Sequence, residues 1–228
     1  VGENGCGKST LIKIISGVYR ADSGSIELNG RSYTELLPAT SIKEGVQVIY
    51  QDFSVFPNLT VAENISLGTQ LVGGNRLVNW KRMRKQAGEA LDMIGVDMDL
   101  DEEVSRLAVA QKQIIAISRA ILQNAKLIIM DEPTTALTKK EIERLYQIIY
   151  GLSKKGIAVI FVSHKLDEVF TVCQRIAVIR NGNMIVDKQA KEFERDKLVY
   201  YMTGQEIEVT PFQYRKISDK PVLELENC

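Results

Sequence analysis

Residues 2–9 read Gly2-Glu3-Asn4-Gly5-Cys6-Gly7-Lys8-Ser9, the spacing G-x-x-x-x-G-K-[ST], and Thr10 extends the polar run. No other feature constrains the fold so tightly. Glycines in that pattern let backbone N–H groups wrap the phosphates of a nucleotide, in a loop set between a strand and a helix. The apolar run Leu11-Ile12-Lys13-Ile14-Ile15, ending at Ser16-Gly17, predicts a short buried helix closed by Gly17. The start of such a helix offers free N–H groups and a positive dipole end to an anion. Gly2 through Thr10 are therefore the candidate nucleotide cradle, with Lys8 reaching the β- and γ-phosphates and the Ser9 hydroxyl holding Mg²⁺. Only Val1 precedes the loop, so the leading strand is expected to lie upstream in a longer gene product.

Three apolar runs predict buried strands: Val46-Gln47-Val48-Ile49-Tyr50, Leu127-Ile128-Ile129-Met130, and Ile157 to Val162. Near-continuous apolar runs suit a parallel sheet covered on both faces. Each run ends in polar residues, Gln51, Asp131-Glu132 and Ser163-His164. Ligands of open α/β sheets bind beyond the carboxyl ends of the strands, so these residues are expected to converge. Capping-box patterns at Thr138–Glu141 and Thr60–Glu63 predict helix starts. Between about 76 and 123 the strand signal disappears. Trp80, Met83, Ala87, Leu91 and Ile94 recur at helical spacing and read as core, and a second helix runs from about Gln111 to Leu122. Arg175 to Lys188 reads as a hairpin about an Asn181-Gly182 turn, and one more helix runs through Tyr201. The fold class is α/β: a mostly parallel P-loop sheet with an inserted helical subdomain, about 70–124, and a β-hairpin near the end. Residues 1–204 form this domain, 205–220 read as a linker, and 221–228 alternate like the first strand of a further unit.

The 29 Lys and Arg equal the 29 Asp and Glu, which argues against a nucleic-acid partner. Three scattered cysteines, Cys6, Cys173 and Cys228, do not make a disulfide framework and fit a reducing compartment. No apolar run reaches the ~18 residues that a membrane span needs.

At the sheet edge, Asp131 suits an inner- or outer-shell ligand of Mg²⁺, and Glu132 suits orienting or deprotonating the attacking water. His164 is the chain's one histidine and stands where a donor would stabilise charge on a transferred phosphoryl group. Gln51 is a candidate for holding the water or Mg²⁺, so the metal set is Ser9, Gln51 and Asp131. The catalytic set is Lys8, Gln51, Glu132 and His164.

Together the P-loop, Gln51, the segment Leu107-Ala108-Val109-Ala110-Gln111, Asp131-Glu132 and His164 resemble, in order and over nearly the whole chain, an ATP-binding cassette ATPase. Gly17-Val18-Tyr19…Asp22-Ser23-Gly24, Asp131 to Thr138 and Ser163 to Phe170 are similar to the tandem-cassette ATPases of bacterial sugar importers. That resemblance implies two cassettes in one polypeptide that close face to face, the signature Leu107–Gln111 completing the partner cassette's ATP site. It implies ATP and Mg²⁺, transmembrane permease subunits contacted near Phe53–Pro57, and a periplasmic or lipid-anchored sugar-binding protein. It also implies a cytoplasmic location on the inner face of the cell membrane. Ala108 departs from the family, which carries serine there; the loss points to a weaker second ATP site. Thr138 replaces the usual aspartate, a departure that the sugar branch shares. Cys6 replaces a small residue, and its thiol is expected to be acidified and reactive. Two other readings compete: a soluble cassette of DNA repair or translation, and a nucleotide-binding regulatory module that does not hydrolyse ATP. Translation-type members read Asn-His-Leu-Asp where this chain has Thr135-Ala136-Leu137-Thr138, and Glu132 with His164 argues against a non-hydrolysing module.

Overall fold

The computed structural model describes residues 1–50, 52–72 and 78–205. The elements run α1 (Lys8–Ile15), β1 (Ile26–Leu28), β2 (Arg31–Tyr33), α2 (Pro38–Lys43), β3 (Val46–Ile49), α3 (Val61–Val72), α4 (Trp80–Met93) and α5 (Val109–Leu122). They continue through β4 (Leu127–Asp131), α6 (Lys139–Lys154), β5 (Ala158–Val162), α7 (Leu166–Val172), β6 (Arg175–Arg180), β7 (Asn183–Gln189) and α8 (Arg195–Thr203). Gln51 and residues 206–228, with the expected linker and further strand, lie outside the described residues.

The three apolar runs form one parallel sheet in the order β3-β4-β5, with Ile49 opposite Met130 and Met130 opposite Phe161. Alternation along each strand sorts side chains onto two faces. Ile49, Ile128, Met130 and Phe161 join the core under α3, α4, α5 and α6. Val46, Ile129 and Val162 turn the other way and pack on Ile12 of α1. Ile128, Ile129 and Met130 are fully buried, each stabilising the fold by about 1.5–3 kcal/mol. The sheet is thus a layer between helices, with its central strand β4 aimed at the P-loop side.

The capping box at Thr60 forms in full, and at Thr138 the glutamate half of it forms. Thr60 N–H donates to Glu63 Oε2 at 2.7 Å while Glu63 N–H donates back to Thr60 Oγ1 at 3.3 Å. Thr138 N–H donates to Glu141 Oε2 at 2.8 Å. On α4, Met83, Ala87, Ala90 and Leu91 are buried, but Trp80 is 58% exposed. Its place at the first helical residue, beyond the packed turns, takes it out of the expected core stripe.

The hairpin β6–β7 turns at Asn181 and Gly182, with φ of 50° and 76°. It packs with α7 and α8 in a separate cluster of Val169, Ile176, Val178, Leu198 and Met202. Between β5 and β6 lies an apolar cleft of about 450 Å³, lined by Leu11, Ile15, Ile160 and Ile179 among others. This is why α1 is less buried than its sequence suggests: Ile12 is covered, whereas Leu11 is 40% exposed and faces the cleft. Val1 sits at the cleft's mouth beside β6, its amino group donating to Ala177 O at 2.7 Å and its carbonyl accepting from Ile179 N–H at 2.9 Å.

Candidate nucleotide site

The loop from Gly2 to Gly7 is built on backbone that only glycine tolerates at two points. A Cβ on Gly2 would lie 2.2 Å from Ile179 O and 2.5 Å from Cys6 Sγ. Gly7, the N-cap of α1, has φ 106°, a region closed to side-chain-bearing residues. Together they bring the first turn of α1, with Lys8, Ser9 and Thr10, directly under the loop. Lys8 Nζ curls back and donates to Gly2 O and Glu3 O, both at 2.8 Å. The Cys6 thiol is packed inside, 4% exposed, 3.7 Å from Lys8 Nζ. That burial, under Gly2, limits the access of solvent to the thiol whose reactivity was expected from its place in the loop. Ser9, Thr10, Glu3, Asn4 and Gly5 are exposed along the rim.

The end of β4 faces this loop. Asp131 is held above the ordinary aspartate pKa, first by burial and then by repulsion from Glu132, with Lys8 pulling the other way. Those three charged groups therefore share one electrostatic neighbourhood. Glu132 itself has φ 48°, an uncommon conformation for a residue with a side chain. Its N–H donates to Val162 O at 2.9 Å, tying it to the end of β5. From the next turn His164 places Nδ1 2.9 Å from Glu132 Oε1. Lys8, Asp131, Glu132 and His164, distant in sequence, are thus gathered at one sheet edge.

A buried network that the sequence reading missed fastens this edge. Glu168, 8% exposed on α7, accepts at Oε2 from Thr134 Oγ1 at 2.7 Å and from Ser163 Oγ at 3.0 Å. Lys165 Nζ stands 3.2 Å from its other oxygen, and Lys165 N–H donates to Ser163 Oγ at 3.0 Å. Thr134 follows Glu132 by two residues and Ser163 immediately precedes His164. The network therefore sets the spacing of the 2.9 Å pair. The signal was an acid among the apolar residues Leu166, Val169 and Val172, which reads as a solvent-facing charge until the partners are known.

The segment Leu107–Gln111 stands apart. No hydrogen bond or ion pair among the described residues joins it to Lys8, Asp131, Glu132 or His164. Leu107 is buried, Ala108 is the extended N-cap of α5, and Val109 and Ala110 open the helix. Gln111 Oε1 accepts from Ala108 N–H at 3.0 Å. Ala108 has no acceptor to return, so only half a capping box forms.

Residues 1–135 match the family described as ABC transporter. This chain belongs to that family. The cassette is 45% identical over 208 residues to Ribose import ATP-binding protein RbsA of Geobacillus kaustophilus, which covers 91% of this chain and 42% of that protein. It is 43% identical over 230 residues to the protein of the same name from Corynebacterium glutamicum, covering 100% of this chain and 43% of the relative. The cassette thus spans less than half the length of these relatives. Among solved structures, the ATP-binding cassette MJ1267 in its ADP conformation aligns with a TM-score of 0.76 at 26% identity. That alignment covers 90% of this chain and 86% of the other. The cbiO1 protein of Clostridium perfringens, part of the ABC transporter complex cbiONQ, aligns with a TM-score of 0.72 at 26% identity, covering 84% and 76%. The α/β P-loop fold read from the sequence is the fold of these cassettes.

Proposed function

We propose that this chain is the first cassette of an ATP-hydrolysing importer subunit for a monosaccharide. The observation that carries the chemistry is the gathering of Lys8, Asp131, Glu132 and His164 at the carboxyl edge of the parallel sheet. The names of the two relatives above, both ribose import ATP-binding proteins, support the sugar. Their length, more than twice that of this chain, supports a second cassette beginning after a linker at 205–220, with 221–228 as its opening. Permease subunits and a sugar-binding protein complete the assembly, and the cassette works on the inner face of the membrane. Among the described residues no helix is long and apolar enough to cross a bilayer, in keeping with membrane passage through other subunits.

The loop amides and Lys8 bind the phosphates of ATP and fix the γ-phosphoryl group in line with the attacking water. Ser9 and Asp131, with Gln51, suit Mg²⁺: hydroxyl and carboxylate oxygens match a hard cation that keeps phosphate and water as its other ligands. The raised pKa of Asp131 fits this, since a half-buried carboxylate beside Glu132 lacks a full counter-charge. The cation would neutralise charge building on the β- and γ-oxygens. Glu132 accepts a proton from the water as its oxygen bonds to the γ-phosphorus and the bond to the β-bridging oxygen breaks, giving ADP and phosphate. His164, paired with Glu132 through Nδ1, would donate from its other nitrogen to the γ-phosphate. Ala108 and Val109, exposed at the start of α5, are free to meet the second cassette's nucleotide, with Leu107 anchoring the segment in the core.

In the full-length protein, Glu132→Gln keeps the shape of the site and removes the base. ATP binding should persist while turnover falls by about 10²–10⁴, the usual contribution of a general base. Turnover close to the parent's would remove Glu132 from that role.

A further inference from the structure

The tip of the β6–β7 hairpin reaches the phosphate loop through backbone alone. Gly182 N–H donates to Cys6 O at 2.9 Å. Further back along β6, Ile179 N–H donates to Val1 O at 2.9 Å, and Ile179 O closes on Gly2. A bulge aims this approach. Val178 pairs with Val186 and Ile179 with Met184, which leaves Ile185 without an opposite residue. Bulges bend and twist a strand pair where it must be re-aimed. Beyond the bulge, Arg180 donates from Nη1 to Tyr200 O and Tyr201 O, both at 3.3 Å. These are carbonyls of the last turn of α8, where the helix dipole favours a cation. The tip is pinned between the end of α8 and the loop.

The bond to Cys6 O decides where a neighbouring donor points. The peptide between Cys6 and Gly7 is planar and trans, so its C=O and N–H point in opposite directions. With the carbonyl held toward the hairpin, Gly7 N–H faces away from it, and among the described residues it finds no acceptor. A free N–H at the N-cap of α1 is one of the donors that such a loop offers to phosphate oxygens. Turned over, the same peptide would show the anion a carbonyl instead. Glycine at position 7, with its wide backbone freedom, makes that flip easy. The direction must therefore be imposed from outside the loop, and the donor that imposes it here is Gly182.

We propose that Gly182, steadied by Arg180, is a positioning residue of the nucleotide site. Its N–H fixes the Cys6–Gly7 peptide so that Gly7 N–H meets the phosphates of ATP. This role rests on the ATPase reading and deepens it. Gly182 has φ 76°, and a Cβ there would meet nothing within 4 Å. Space is open, so substitutions at this position are sorted by backbone conformation alone. Asparagine enters the left-handed region readily, whereas a β-branched valine does not.

The test measures equilibrium ATP binding and steady-state hydrolysis on the full-length protein. Gly182→Val should raise the Kd for ATP at least about tenfold, the loss of one hydrogen bond to a charged group. Because that bond is made to bound ATP and to the transition state alike, kcat at saturating ATP should stay within about twofold. Gly182→Asn, which keeps both the conformation and the N–H, should rescue binding to within about twofold of the parent. A merely structural turn would lower the Tm of Gly182→Val and leave the Kd of the folded protein unchanged, and that result overturns the proposal. Equal losses in the two variants overturn it as well, since they would tie the effect to the added side chain. If Gly182→Val does not fold, Arg180→Met, which frees the tip from α8, must raise the Kd at least about threefold; an unchanged Kd overturns the proposal. Parent protein without affinity for ATP would count against the ATPase reading. Pyrophosphate, which the loop can hold without a nucleoside, is then the probe, and the same Kd ratios decide. A parent that binds neither overturns both.

Discussion

Replacing Glu168 by glutamine tests whether the geometry of Glu132 and His164 is imposed from behind. The glutamine amide has nearly the shape of the carboxylate, so its carbonyl can still accept from Thr134 and Ser163. What it loses is charge. A bond to a carboxylate contributes about 1.5–3 kcal/mol and a neutral one about 0.5–1.5 kcal/mol, so each of the two hydroxyl bonds weakens by about 1 kcal/mol. Lys165, whose side chain is 41% exposed, is screened by water, so losing that ion pair adds at most about 1 kcal/mol. The sum is about 2–3 kcal/mol, equivalent to a fall in Tm of about 5–10 °C for a domain of this size. Glu168→Ala should be worse, because both hydroxyls are then left buried without an acceptor at about 1–3 kcal/mol each.

The functional consequence follows from where the partners stand. Thr134 and Ser163 are the near neighbours of Glu132 and His164, so slack in the network widens the 2.9 Å pair rather than the phosphate cradle. Steady-state ATPase assays on Glu168→Gln in the full-length protein should show kcat lowered about tenfold, the scale of a sub-ångström misplacement. KM should stay within about twofold, since Lys8 and the loop are untouched. A variant with the parent's Tm and kcat would refute the argument. So would a raised KM at unchanged kcat, because that would place Glu168 behind nucleotide binding.

Ala108→Ser restores the missing half of the capping box on α5; stability measured in urea should rise by about 0.5–2 kcal/mol, and hydrolysis at the partner cassette's site should increase if the alanine weakens it. No gain in either would show that the helix start is satisfied by other means. Asp131→Asn removes a carboxyl whose folded-state pKa lies above its ordinary 3.8. Ionising such a group opposes folding, with no penalty below pH 3.8 and the full penalty above the folded pKa. The variant should therefore lose hydrolysis yet melt higher than the parent at pH 7 and not at pH 3.5; a gain independent of pH would refute the assignment.

What could be read from the sequence and what could not divide along a physical line. β3, β4 and β5 were legible because a strand covered on both faces must be apolar throughout, and their ends marked Asp131, Glu132 and His164. The helix starts at Thr60 and Thr138 were legible because capping is a matter of four adjacent residues. The hairpin β1–β2 went unread although Asn29-Gly30 carries the right turn residues, with φ of 52° and 75°. Its strands are three residues each, too short to show alternation. The six-residue α2 is likewise too short for a helical period. Glu168 and Arg119 were hidden for a different reason. A charge on an amphipathic helix has the same local signature whether it meets water or a buried partner, and only the packing of α7 and α5 tells the two apart.

The strained backbone points the same way. Six non-glycine residues among those described have positive φ. Three are asparagines in turns, Asn29, Asn124 and Asn181, and asparagine enters that region readily. Glu132, Phe53 and Ser54 have no such excuse, and each carries a strain of about 1–2 kcal/mol. Strain of that size relaxes unless something outside the residue opposes it. At Glu132 the opposing bonds come from Val162 and, through Thr134, from Glu168; at Phe53 and Ser54 they come from Arg119. The first clamp lies at the carboxylate proposed to act on the attacking water, and the second ties the turn after β3 to α5. A fold selected for stability alone would place glycine at 54 and 132 and release the clamps. Side chains kept there at that cost are held by partners on other elements, Glu132 by Val162 and Glu168 and the turn by Arg119, rather than by their own backbone preference.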